Sequence, residues 1–373
     1  MLDEVAREVG ATDYGDATAL EGLVVLAASA ASEAQLNPTG SATLEDICRR
    51  SLANRLRVID WHRRNPEAAL APVVAPIFIV GASRTGTTAL SHLLAVDPDC
   101  RAPRHFEVAN SLPPPKAETY WDDPRFRADQ AAAEHVSGEF KAIHYDPPEA
   151  SIECTQILTQ HFASLQFPCM FNVPSYDEWL LSCDMRPAYR FHRQLLQLLQ
   201  SEYPGRWQLK APDHALHLDA LLAAYPDARF VMTHRDPVKA TASACSLARS
   251  LTSAFSDSDH DGYIAQHWPD TVVAMFDRLV DFRERHPEAQ FVDVPYQDLI
   301  TDPLGIVQRI YDEFGLALAS TTKASMRSHI EREKQHRHGK HAYSLNDFGL
   351  ERRQLESRFA GYLGQFQVTI EAA

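Results

Sequence analysis

The stretch Pro76-Ile-Phe-Ile-Val-Gly81-Ala-Ser83-Arg84-Thr85-Gly86-Thr87-Thr88-Ala-Leu-Ser-His-Leu-Leu94 decides the fold. A short apolar run reads as a buried strand, a Gly/Ser/Thr turn follows, and an apolar helical pattern comes next. This is the layout of an anion cradle. Gly81 and Gly86 let the backbone approach an anion, and successive N–H groups converge on it. The helix starting near Thr87 adds unpaired amides and the positive end of its dipole. Hydroxyls of Ser83, Thr85, Thr87 and Thr88 supply further donors. The two glycines have the spacing of the nucleotide-hydrolysing G-x-x-x-x-G-K-[ST] loop, but Thr87 stands where its lysine would be. The cation lies inside the turn instead, at Arg84. The loop is built to grip an anion without the pattern that serves ATP and magnesium.

A second anchor is Ala228-Arg-Phe-Val-Met-Thr-His-Arg235-Asp236-Pro237. Phe230 to Thr233 read as a buried strand, and Pro237 suits the first position of a helix. Arg235 then sits at the carboxyl end of a strand, where open α/β sheets bind ligands. Ser243 falls about two turns into the next helix, so Arg235 and Ser243 can address one phosphate. The alternative is that Arg235 pairs with Asp236 or another carboxylate and Ser243 is only a small packing residue. Two anion sites on one α/β chain imply a ligand with phosphates at both ends of a nucleoside.

On these residues the sequence resembles the sulfotransferases that use 3′-phosphoadenosine 5′-phosphosulfate (PAPS), above all their broad bacterial branch, related to the tyrosylprotein and heparan enzymes. Arg84-Thr-Gly-Thr-Thr88 resembles the loop that holds the 5′-phosphosulfate, and Arg235-Asp-Pro with Ser243 resembles the 3′-phosphate site. Leu209-Lys210-Ala-Pro-Asp-His214 resembles the lysine-bearing strand end, and Gln290 to Asp298 with Asp302-Pro the late strand and helix. Arg337, Gly339 and Lys340 resemble, in altered order, the Arg-Lys-Gly segment that closes over the 3′-phosphate. The resemblance covers about residues 76 to 350. It implies a P-loop-type three-layer α/β fold with a central parallel sheet, PAPS as co-substrate, and no metal.

The expected organisation is an N-terminal helical segment over 1–70 and an α/β domain over 71–373, with a helical acceptor-pocket insert at about 106–205. Strands are predicted at 76–81, 207–210, 229–234 and 290–294, and helices at 87–96, 214–225, 237–251 and 303–315, with 97–120 irregular. Strands alternating with helices predict a parallel sheet covered on both faces. A loop near Gln35 to Gly40 and a helix start at Thr43-Leu-Glu-Asp46 are expected before it. The arginine-rich helix that follows reads as a solvated or packed face, with a membrane-surface face as the alternative.

The chain has 373 residues and a formal net charge of −14, which disfavours wholesale binding of nucleic acid or anionic membranes. Its six cysteines show no C-x-x-C spacing and read as reduced thiols of a cytoplasmic protein. The apolar run from Leu23 to Ala31 is too short to span a bilayer. Homo-oligomerisation is left open.

Sulfuryl transfer to a hydroxyl requires a general base and cations at the leaving phosphate. Arg84 and Lys210 are the candidate cations. Glu107, placed after the loop helix like the catalytic glutamate of the heparan and tyrosylprotein enzymes, is the candidate base, with pairing to Arg101 or Arg104 as the alternative. His144, ahead of the acidic pair Glu149 and Glu153, is the competing base, and His105 is another. Asp257, Asp259 and Asp261 match only half of a calcium loop, since Trp268 stands where its bidentate glutamate is required. His336, His338 and His341 lack partners at zinc-ligand spacing. The acceptor is read as a small-molecule or lipid-linked alcohol. Phe106, Trp121, Phe162, Phe167, Phe171 and Trp179 are candidate pocket aromatics or plain core. A kinase or other phosphotransferase on the same fold, and an inactive nucleotide-binding protein, are the rival readings.

Overall fold

In the computed structural model, residues 1–82, 85–134, 147–335 and 344–371 are described below. Five parallel strands form the central sheet: β1 (Ile77–Val80), β2 (Cys100–Arg101), β3 (Arg206–Lys210), β4 (Arg229–His234) and β5 (Gln290–Pro295), in the order β2-β3-β1-β4-β5. The chain leaves β1 for one side of the sheet and later returns to its other side. The carboxyl ends of β1, β3 and β4 therefore face a topological switch point, where such sheets open a crevice for ligands.

Alternation of side chains along each strand builds the two faces. Phe78 and Val80 enter one apolar cluster with Trp207, Leu209 and Phe230, while Ile77 and Ile79 enter the other with Leu90, Val231, Val292 and Val307. Burial on both faces explains why these strands read as continuous apolar runs. The first cluster also contains Val5, Leu26, Leu52 and Leu56. The apolar core thus runs across the boundary expected near residue 70.

The predicted strands and helices stand within a few residues of their observed limits, with instructive exceptions. β2 lies in the stretch expected to be irregular, together with a short helix His105–Ala109. The helix expected to start at Thr43 begins earlier and runs Pro38–Arg64, because the Asn37 side chain accepts from the Gly40 amide and Pro38 takes the first helical position. Its arginines are largely paired within the protein. Arg49 bonds Glu4 and Glu8, and the buried Arg55 donates to the Tyr14 carbonyl at 2.6 Å and lies over the Phe191 ring. The helix Asp261–Arg285 has no counterpart in the sequence reading and carries Pro269 in its interior.

Candidate active site

β1 ends in the cradle. Gly81 and Gly86 have φ values of 145° and 94°, the region that favours glycine. A Cβ on Gly86 would stand 2.8 Å from Leu299 Cδ2, and one on Gly81 would stand 2.6 Å from Thr233 Oγ1. Both positions therefore need glycine for space as well as for conformation. Gly86 is the N-cap of the helix Thr87–Leu94, which leaves that helix's first amides facing the crevice. Thr85 is fully buried; its hydroxyl donates to the Ala82 carbonyl at 2.8 Å and meets Thr233 Oγ1 at 2.6 Å. That hydroxyl ties the loop together, so Thr85 has only its backbone amide left for an anion. Ser83 and Arg84 lie outside the described residues, as do His144, Arg337, Gly339 and Lys340.

Lys210 closes β3 and comes to the cradle. Its ammonium donates to Thr88 Oγ1 at 3.1 Å and to Glu153 Oε1 at 2.5 Å. The lysine side chain is nearly buried, whereas Glu153 keeps 36% of its surface exposed. Beyond β4, Arg235 lines a cleft of about 800 Å³ with Gly86, Thr87, Thr88, Arg104 and Tyr296. Its guanidinium lies 4.1 Å from the centre of the Tyr296 ring. Asp236 does not pair with Arg235. It caps the helix Pro237–Phe255 by accepting from the Val238 amide at 2.9 Å, and it also accepts from Arg352. Arg235 instead donates to both carboxylate oxygens of Glu371, at 2.6 and 3.1 Å. Glu371 arrives from the C-terminal segment, anchored by its own amide on Asp236 at 3.0 Å. Its carboxyl is held below the ordinary range, chiefly by the bond to Arg235. Ser243 is buried in the helix Pro237–Phe255 and does not line the cleft as it stands.

The geometry corrects the reading of Glu107. Its side chain is fully buried. One oxygen accepts from Arg101 at 2.6 Å, and the other accepts from the Arg104 amide at 3.2 Å as part of a capping box. Arg101 is itself buried over Tyr203 and Trp207. A carboxylate so enclosed and so bonded holds an ion pair together, the alternative reading of Glu107. His105 is surface-exposed and bonded to Asp129 at 2.7 Å. The aromatic candidates Phe106, Phe162, Phe167 and Phe171 are buried core. Glu153, Tyr296 and Glu371 are the site residues that sequence reasoning missed. Only the acidic pair Glu149/Glu153 and the late-strand motif carried any sign of them.

A glycine-bounded cradle without the nucleotidase lysine, a lysine on the neighbouring strand end and an arginine beyond the next stand together at the carboxyl edge of a P-loop-type sheet. The chain belongs to the sulfotransferase family, whose model matches residues 76–320. It is 30% identical to the sulfotransferase STF9 of Mycobacterium avium, with a TM-score of 0.92 over 100% of this chain and 97% of that one. With STF1 of Mycobacterium tuberculosis H37Rv the identity is 34% and the TM-score 0.84, over 96% and 97% of the two chains. Among curated relatives, the omega-hydroxy-beta-dihydromenaquinone-9 sulfotransferase Stf3 of Mycobacterium bovis is 29% identical over 69% of this chain. The match spans 66% of that relative's length.

Proposed function

We propose that the chain moves a sulfuryl group from PAPS to the hydroxyl of a small or lipid-linked acceptor, releasing adenosine 3′,5′-bisphosphate. One observation carries the reading: the cradle, Lys210 and Arg235 converge at the carboxyl edge of one parallel sheet, Lys210 touching Thr88 and Arg235 sharing its cleft. The amides of Thr85 to Thr88, with Ser83 and Arg84, take the 5′-phosphosulfate. Arg235 and Ser243 take the 3′-phosphate, with Arg337, Gly339 and Lys340 closing over it. Tyr296, whose ring lies under the Arg235 guanidinium, borders the space for the base.

In the reaction the acceptor oxygen attacks sulfur, the sulfur–oxygen bond to the 5′-phosphate breaks, and the acceptor proton leaves to a base. We assign that base to Glu153 in place of Glu107. Lys210 pairs with Glu153. As the donor's bridging and phosphate oxygens compete for the ammonium, Lys210 stabilises the developing charge of the leaving group and the Glu153 carboxylate takes the acceptor proton. A sulfuryl group carries less charge than a phosphoryl group, so side-chain cations serve here where kinases use magnesium.

The relative that acts on an omega-hydroxylated dihydromenaquinone supports an isoprenoid or other lipid-linked alcohol as acceptor. Six free thiols support a cytoplasmic setting, and among the described residues no helix is long and apolar enough to cross a membrane. The test is transfer of labelled sulfate from PAPS into a panel of phenols, sterols and isoprenoid alcohols, with calorimetry beside it. Adenosine 3′,5′-bisphosphate is expected to bind more tightly than AMP by about 2–4 kcal/mol, tens- to several-hundred-fold, with or without magnesium. Equal affinity for AMP, or a strict magnesium requirement, favours a kinase instead.

A further inference from the structure

Behind the Lys210–Glu153 pair, in the apolar core, lie three donors that the transfer reaction does not use. Cys154 precedes the short helix Thr155–Thr159, His192 is on the helix Arg186–Gln200, and His214 is in the turn after β3. All three are fully buried, and their ligand atoms lie within 4.8 Å of one another. His192 Nδ1 bonds the Tyr225 hydroxyl at 2.6 Å, and His214 Nδ1 bonds the Tyr189 hydroxyl at 2.8 Å. Both Nε2 atoms are buried and have no hydrogen-bond partner among the described residues. Two unpaired ring nitrogens beside a thiol are unusual in a core, since a buried polar atom without a partner is destabilising. The tyrosines play the part that outer-shell groups play around metal-bound imidazoles: they bond Nδ1 and leave Nε2 unengaged.

We propose that Cys154, His192 and His214 form a buried three-ligand site for a d10 transition-metal ion, copper(I) or zinc(II). Each ring bonds a tyrosine hydroxyl through Nδ1, so each has its other nitrogen's lone pair to offer an ion. Bonds of about 2.0–2.3 Å place the ligand atoms of such an ion about 3.5–4 Å apart, so donors within 4.8 Å of one another need close by no more than about 1.3 Å. Binding forms one metal–sulfur and two metal–nitrogen bonds and releases the thiol proton to solvent. With copper(I) the thiolate cancels the ion's charge and the buried assembly is neutral, which suits this three-donor set better than zinc(II), whose extra charge is costly without a further anion.

The ion has a structural role. The Cys154 amide donates to the Lys210 carbonyl at 2.8 Å, and Glu153, one residue earlier, pairs with the Lys210 ammonium. A metal clipping Cys154 to His214 would fasten this segment to the end of β3.

The full-length reduced chain, stripped with chelator, is titrated anaerobically with Cu(I) and separately with Zn²⁺ against chromophoric competitors. One tightly held equivalent of either ion is expected, with a rise in unfolding temperature and with turnover changed by less than about twofold. Cys154→Ala and His192→Gln each weaken that binding by at least about 100-fold, whereas Cys169→Ser with Cys183→Ser leaves it intact. X-ray absorption on the loaded wild-type chain finds one sulfur and two imidazole nitrogens, a readout that stands even if the buried variants fail to fold. Binding of neither ion overturns the proposal, as does a ligand set without sulfur or binding that survives Cys154→Ala in folded protein.

Discussion

Replacing Glu371 by Gln tests the phosphate role of Arg235. Arg235 holds an anion of its own chain, with two N–H groups on the Glu371 carboxylate and side chains 15% and 25% exposed. A 3′-phosphate that binds Arg235 must displace that carboxylate, so the measured affinity is the difference between two ion pairs. At this degree of exposure the resident pair is worth about 1–2 kcal/mol, above an open surface pair and below a buried one. Glu371→Gln should therefore tighten adenosine 3′,5′-bisphosphate binding about 5- to 30-fold in calorimetry, the gain shrinking as salt rises. AMP, which lacks the 3′-phosphate, should change by less than about twofold. Because Arg235 holds the Glu371 carboxyl below its ordinary range, the pair's contribution is present above the unfolded carboxyl's titration and is lost only at lower pH. Mild acidification to pH 5 should thus not mimic the substitution. Unchanged or weaker bisphosphate binding in the variant, or an equal gain for AMP, would refute the reasoning.

Four further outcomes are expected. Glu153→Gln should lower turnover about 100- to 10,000-fold with bisphosphate affinity nearly kept. Glu107→Gln, by uncovering the buried Arg101, should cost about 3–5 kcal/mol in urea unfolding while its folded fraction stays active. Asp213 is raised to about 6, mainly by burial, so folding favours its protonated form; that stabilisation is full below about pH 4 and is lost as pH rises through 6. Asp213→Asn should gain about 1–1.5 kcal/mol on wild type between pH 5 and pH 7.5, read from urea melts at both values. Asn54→Ala should cost about 2–4 kcal/mol, also in urea, because its amide bonds Val108, Ser111 and Gln160, and its oxygen accepts from the Ser111 amide.

The parts of the fold that the sequence made legible are those whose cause is local. The Ile77–Val80 run, the two glycines and the helix after them announce a strand, a turn and an N-terminus within a few residues, and Asp236-Pro237 announces a cap. What stayed hidden depends on residues far apart. β2 is two residues long and exists only because Cys100 and Arg101 pair with Arg206 and Trp207. The Asp261–Arg285 helix was obscured by Pro269, which tertiary packing tolerates. In the site, Glu107 has the right place in sequence for a base. Its burial is decided by Arg101, Tyr203 and Trp207, which no local pattern brings together. Glu153 is the converse case: an acid without a motif that the fold sets on Lys210.

The N-terminal helices have a consequence for how the chain is made. Leu36 bridges Ser256, the Asn37 amide donates to the Phe255 carbonyl, and the close approach needs Gly40, where a Cβ would stand 2.2 Å from that carbonyl oxygen. Asn37 and its partner Asp257 are 220 residues apart. At about 5–20 residues per second, a ribosome needs roughly 10–45 s to deliver the second after the first. Through that interval the helix Pro38–Arg64 lacks its partner surface on the helix Pro237–Phe255, which is the last of its packing partners to be made. Docking of the N-terminal helices is therefore completed late in synthesis, once the helix Pro237–Phe255 has emerged.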